Sequence, residues 1–306
     1  MNFTDLFNLQ IMMFIMMGIG FFLRKKDIIT TPGKLVLTDL VIDLILPCNI
    51  ISAFCMEFSK EILMQGLAIL IISCLNQVMC VILAYTLYRK FPKEQKMVLQ
   101  YGTICSNAGF LGNPVAEGIY GPIGLLYASI YLIPQRIIMW SAGVSFFTES
   151  PNKKTLAKKV LTHPCIVAVL IGIVLMVSQI QLPVFLGNTI DNIGDCTTAI
   201  VMILIGAILA EADIKTMVTK TTAGYSLLRL IIIPVIVLIG CKLAGMSALV
   251  TGLSTILAAM PAGTTTVILA VKYNGDEEFA TKCVVLTTVL SMIMIPIWCF
   301  IISAVY

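Results

Sequence analysis

The sequence predicts an all-α polytopic membrane protein: ten transmembrane helices arranged as two inverted repeats of five, with helices four and nine broken near mid-membrane. Three observations predict it. The 306 residues are 59% hydrophobic and only 12% charged, with a mean hydropathy of +1.01, whereas soluble domains carry roughly 25% charged residues. Apolar runs of about the 20 residues needed to cross a hydrocarbon core recur from end to end. Two of those runs carry matching Gly/Pro interruptions. No water-soluble core could hide so much apolar surface, and the bilayer is therefore the first partner of the chain.

The expected spans are about 6–23, 35–54, 62–88, 97–119, 122–147, 164–180, 184–210, 223–243, 248–271 and 279–305. The first lacks a basic n-region and an Ala-x-Ala cleavage site, so it reads as a span and not as a removable signal peptide. Basic residues then fall in alternate loops: Arg24, Lys25, Lys26 and Lys34; Arg89, Lys90, Lys93 and Lys96; Lys153, Lys154, Lys158 and Lys159; Lys215 and Lys220; Lys272 and Lys282. Only Lys60 and Lys242 fall in the others. The positive-inside rule makes the first set cytoplasmic and places both termini outside the cytoplasm, in a plasma or inner membrane. The net charge of +4 is thereby explained without nucleic acid. Ten cysteines are scattered along the apolar runs without paired spacing, and read as small buried hydrophobes rather than a disulfide framework or metal site. No cofactor is implied.

The polar stretch 148–163 divides the chain into a first repeat (1–150), a cytoplasmic linker (151–163) and a second repeat (164–306). Five spans per half make the second repeat enter the membrane inverted, as in many secondary transporters. Spans four and nine correspond in this scheme. Span four contains Cys105-Ser106-Asn107-Ala108-Gly109-Phe110-Leu111-Gly112-Asn113-Pro114, in which Asn113 and Pro114 read as the N-cap and first residue of a fresh half-helix. Span nine contains Met260-Pro261-Ala262-Gly263-Thr264-Thr265-Thr266. Unpaired backbone at mid-membrane is tolerated only in protein or beside a watery cavity, so the breaks mark an internal site. Half-helix N-termini directed at it favour an anion. Ser106, Asn107, Asn113, Pro114, Pro261, Thr264, Thr265 and Thr266 flank the breaks and are the candidate substrate contacts.

Charges within spans are few. Arg136 stands eleven residues before Phe147, about 17 Å at 1.5 Å per residue. A charge so deep costs about 2.5 to 17 kcal/mol unless it meets a carboxylate, water or an anionic ligand. A ligand carboxylate, which a guanidinium grips bidentately, is the favoured partner; a fixed pair with Asp43 is the other. Arg229, nearer the end of its span, reads as an interfacial anchor. Asp39 and Asp43 share a helix face, and Glu117 follows the break in span four; these three are candidates for carrying a coupling proton. Asn49, Asn76 and Gln77 read as hydrogen-bonding links between helices.

At the breaks the chain resembles a known family. Asn107-Ala108-Gly109-Phe110-Leu111-Gly112-Asn113-Pro114 is similar to the Asn-x-Gly-Phe-x-Gly-x-Pro signature of bacterial members of the auxin efflux carrier family, relatives of the plant PIN auxin exporters. Met260-Pro261-Ala262 resembles the second broken span of that family, and Leu46-Pro47 and Gly-Ala-x-Leu-Ala at 206–210 extend the likeness along the chain. The resemblance implies that helices four and nine cross at the substrate site, that spans one, two, six and seven form a scaffold, and that spans three to five and eight to ten form a moving transport domain. It implies transport of malate, malonate or an auxin-like acid. The short central loop departs from many plant members, and Arg136 departs from their uncharged residues, which suggests a smaller, more strongly anionic substrate.

The leading reading is thus an alternating-access carrier of a small organic anion. A sodium-coupled symporter or cation/proton antiporter of related fold is the alternative, with a coupling proton or sodium ion as a further partner, and a channel or receptor is the non-carrier alternative. A homodimer is compatible with either carrier. An intramembrane enzyme is disfavoured: the single histidine, His163, precedes Pro164 at a span boundary, and no His-Glu-x-x-His motif occurs.

Overall fold

The computed structural model describes residues 3–57, 59–139, 143, 145–147, 158, 161–210 and 217–305, and its described residues are helical without β-strands. Most of the expected linker, including Lys153, Lys154 and Lys159, lies outside the described residues, as does Lys215. The helices are α1 (Phe3–Lys25), α2 (Thr31–Phe54), α3 (Lys60–Leu87), α4 (Lys93–Ile104), α5 (108–120), α6 (Pro122–Ile138), α7 (Pro164–Ser178), α8 (Val184–Leu209), α9 (Lys220–Leu243), α10 (Ala248–Ala258), α11 (Thr265–Lys272) and α12 (Glu277–Val305). Among the described residues α2, α3, α8, α9 and α12 are long and apolar enough to cross a membrane, and α6, α7 and α10 are shorter apolar helices.

Helix starts follow local chemistry. Thr30 caps α2 by accepting from Gly33 N, with Pro32 in the first turn. Thr219 and Thr222 form a reciprocal capping box at α9, Ser247 caps α10, and Asp276 Oδ1 accepts from Phe279 N at the start of α12. These contacts satisfy N–H groups that the first helical turn leaves without partners.

Helices α2, α5 and α9 each contain a wide π turn, at Val41–Ile45, Ala108–Gly112 and Leu228–Ile232. Each ends two residues before a proline, namely Pro47, Pro114 and Pro234. Proline lacks an N–H and its ring collides with the carbonyl four residues back. An extra residue in the turn moves that carbonyl aside, and bonds five residues long replace the usual ladder, as from Leu46 N to Val41 O and from Ile233 N to Leu228 O. At Pro234 the freed carbonyl is that of Leu230, and Trp298 Nε1 donates to it at 2.8 Å.

Contacts divide the chain into two compact units, each drawing on both halves of the sequence. Unit 1 comprises 1–64, 113–129 and 161–212; unit 2 comprises 65–112, 130–160 and 213–306. In unit 1, α1 and the second half of α8 cross on glycines. A Cβ on Gly20 would lie 1.9 Å from Ile203 O, and one on Gly206 would lie 1.9 Å from Met17 O. Only small residues permit so close a backbone approach.

In unit 2, α3 is apolar outside and polar inside. Leu67, Ile71, Leu75, Val78 and Ile82 are exposed, whereas Ser73, Asn76 and Gln77 are buried. Lipid accepts the apolar stripe; in the polar stripe Ser73 Oγ donates to Tyr131 O and Asn76 Nδ2 to Tyr131 Oη at 2.9 Å, while Gln77 Oε1 finds no partner among the described residues. Tyr131 O lies three residues before Pro134, in the turn that this proline opens. The cysteines divide as well. Cys80, Cys283 and Cys299 are buried, but Cys74 is exposed on the outer stripe of α3, so burial does not describe them all.

Candidate functional site

The two breaks meet inside unit 2. The unwound residues between α4 and α5 pair with those between α10 and α11 as a single antiparallel bridge, Ser106 opposite Ala262. Asn107 N donates to Pro261 O at 2.7 Å, and Gly263 N to Cys105 O at 2.8 Å. Ala262 N donates to Thr287 Oγ1 of α12 at 3.2 Å. Buried non-helical backbone must find partners within the protein, and each unwound segment supplies the other's. Gly263 is required by the close approach. A Cβ there would lie 3.0 Å from Cys105 Sγ and 3.1 Å from Cys105 O.

Gln135 of α6 locks the crossing. Its Nε2 donates to Ser106 O and its Oε1 accepts from Ser106 Oγ, both at 2.8 Å. The Ser106 hydroxyl is therefore engaged in holding the break. Thr265 is engaged too, accepting from Tyr101 Oη at 3.3 Å and lying 3.2 Å from Cys105 Sγ. Gln135, Tyr101 and Thr287 were not among the expected site residues. The signal for Gln135 was its place beside Arg136 in an otherwise apolar run.

The helix restart lies upstream of its expected position. Asn107 O accepts from Leu111 N at 2.9 Å and from Gly112 N at 3.4 Å, so Asn107, and not Asn113, holds the N-cap position, and the chain is already helical when it reaches Pro114. The π turn at 108–112 accommodates that proline. Among the described residues the N–H groups of Ala108, Gly109 and Phe110, and those of Thr264 and Thr265, donate no hydrogen bond, as first-turn groups do not. A Cβ on Gly109 would meet nothing within 4 Å, so open space adjoins the first of these helix ends. Asn107 is buried and its side-chain amide forms no hydrogen bond among the described residues. Pro261 and Thr266 are buried and Thr264 is half-buried, with Thr266 Oγ1 lacking a partner.

Two guanidinium groups are buried in unit 2. Arg136 is 5% exposed, its Nη1 lacks a hydrogen-bond partner, and it forms no ion pair among the described residues. Arg229 is 3% exposed and its Nε likewise lacks a partner, which corrects its reading as an interfacial anchor. Helix α9 begins at Lys220, three residues before the expected span, so Arg229 stands about 13 Å from the helix start at 1.5 Å per residue. The described carboxylates of unit 2, Glu94, Asp276, Glu277 and Glu278, all sit in the first turns of α4 and α12 or just before them. Positive charge and free donors dominate the interior.

The remaining candidates belong to unit 1. Asn113 and Pro114 are buried there, and both atoms of the Asn113 amide lack partners. Glu117 Oε2 accepts from Asn49 Nδ2 at 3.4 Å, and the same nitrogen donates to Gly194 O at 3.0 Å. Asn49 is thus a link between helices, as its sequence position suggested. Asp39 and Asp43 are exposed on unit 1.

Comparison with known proteins agrees with the membrane reading. A family model described as "Membrane transport protein" matches residues 6–299. An uncharacterized transporter of Methanocaldococcus jannaschii is 22% identical over 294 residues, covering 93% of this chain and 94% of the relative. An uncharacterized transporter of Methanothermobacter thermautotrophicus is 26% identical over 194 residues, 63% of each chain.

Proposed function

Since the chain belongs to the membrane transport protein family, the auxin efflux carrier relatives, we propose that it is a secondary carrier of a small organic anion. The substrate is a carboxylate such as malate, malonate or an auxin-like acid. The carrier works by alternating access, with ten spans in two inverted repeats and both termini outside the cytoplasm. Unit 2, holding the crossed breaks, is the transport domain, and unit 1 is the scaffold.

The observation that carries the reading is Arg136, a buried guanidinium with no carboxylate partner among the described residues, in the same unit as two helix N-termini with free donors. Leaving a charge unpaired in low dielectric is costly. An anionic substrate supplies the missing partner, accepting bidentately from the guanidinium while the Asn107 amide and the first-turn N–H groups hold a second oxygen. The positive ends of the two half-helices favour the same charge. A cation-coupled symporter fits less well, because the described carboxylates of unit 2 lie away from the bridge. Glu117 in unit 1, hydrogen-bonded to Asn49, is the carboxylate suited to carry a coupling proton.

The test is uptake into proteoliposomes after a thermal-shift screen against mono- and dicarboxylates, since a ligand that binds only the folded state raises its stability. Arg136→Gln is expected to abolish both the thermal shift and the uptake while the protein remains monodisperse. Unaltered uptake by Arg136→Gln and by Asn107→Ala would remove the site from unit 2.

A further inference from the structure

Away from the breaks, unit 2 carries an apolar groove of about 560 Å³ lined by residues of α3, α4 and α9. One wall is a single face of α9: Lys220, Gly224, Leu228 and Ile232, spaced four apart. Leu83 and Leu87 of α3 form the other wall, with Phe91 just beyond it. In the middle of the α9 wall Gly224 leaves room, because a Cβ there would meet nothing within 4 Å. From Lys220 to Ile232 the groove extends about 18 Å along α9 at 1.5 Å per residue, close to the roughly 15 Å of one leaflet of a hydrocarbon core.

The two ends differ. Ile232 is apolar and exposed, whereas Lys220 is a cation, and Arg89 and Lys90, next to the groove residues Tyr88 and Phe91, add two more. All three are exposed and form no ion pair among the described residues. An apolar channel one leaflet long with a cationic end matches an amphiphile whose tail is one acyl chain and whose head is an anion. We propose that the groove binds an anionic phospholipid of the surrounding bilayer, its acyl chain between α3 and α9 and its phosphate at Lys220, Arg89 and Lys90. Leu228 and Ile232 belong to the π turn that carries Arg229, so the lipid chain packs directly against the turn that positions a buried guanidinium.

The experiment adds phosphatidylglycerol or phosphatidylcholine to the full-length protein in neutral detergent. Lipid retention is counted by native mass spectrometry and stability is followed by thermal unfolding. Phosphatidylglycerol is expected to be retained and to raise the unfolding temperature, with phosphatidylcholine doing much less. Lys220→Gln should weaken phosphatidylglycerol about fivefold, equivalent to roughly 1 kcal/mol per basic residue near an anionic surface. Combining it with Arg89→Gln and Lys90→Gln should erase the preference for the anionic lipid. Gly224→Leu fills the groove and should abolish retention of either lipid, while Gly224→Ala should retain it. Equal retention of the two lipids by the unaltered protein, or an undiminished preference in the triple charge variant, would overturn the proposal even if Gly224→Leu failed to fold. Dimer masses lost specifically in Gly224→Leu would assign the groove to a second copy of the chain and overturn it as well.

Discussion

Replacing Gln135 by Leu tests whether the crossing is held by a side chain. The substitution removes both hydrogen bonds to Ser106, each 2.8 Å long, without opening a large cavity. Such bonds contribute about 0.6 to 1.5 kcal/mol each. The Ser106 carbonyl, buried and unwound, is then left without its donor, which costs about 1 to 3 kcal/mol more. The expected loss is about 2 to 6 kcal/mol, a large share of the roughly 5 to 15 kcal/mol by which a fold survives. Equilibrium unfolding in detergent measures it. Gln135→Met, which keeps the side-chain length but has no amide, should fall with Gln135→Leu. A Gln135→Leu protein within about 0.5 kcal/mol of the parent, the scatter expected of an uninvolved surface site, would refute the argument that Gln135 clamps the break.

Two further outcomes are expected. Trp298→Phe leaves Leu230 O without the donor that answers Pro234, and should lower stability by about 1 to 2 kcal/mol in thermal unfolding, with Pro234→Ala in the same background restoring part of the loss. Gly206→Ala places a methyl where Met17 O stands, and should cost about 1 to 3 kcal/mol or more by overpacking, read as a lower unfolding temperature; an unchanged value would mean that α1 and α8 separate freely.

Periodicity and length located the helices well because hydrophobic runs and turn residues are local properties. α6, α7, α8 and α10 begin at the expected residues, and most other ends shift by a few positions. The breaks were legible for the same reason, since Gly and Pro interrupt helices wherever they occur. The register of the restart was not. Asn113-Pro114 carries the composition of a helix start, yet a wide turn upstream absorbs the proline and moves the cap to Asn107. A π turn has no composition of its own, only a proline two residues beyond it. Gln135 and Ser106 lie 29 residues apart in sequence, and nothing local in either announces the other. Arg229 reads as an anchor because it lies near the end of an apolar run, whereas the folded chain buries its side chain in protein, which the run alone does not reveal.

The single bridge between the two breaks has an entropic consequence. Cys105, Ser106, Asn107, Pro261, Ala262 and Gly263 are the residues most free to wander in an interrupted helix, and fixing the backbone of each costs about 1 to 2 kcal/mol at room temperature. Mutual pairing and the Gln135 clamp charge that cost to folding, before any ligand arrives. A ligand that meets these segments finds them already ordered, so its binding free energy is not reduced by having to organise them. Selectivity then depends on how well a molecule matches a fixed set of donors, and a flexible substrate gives up its own freedom rather than the protein's.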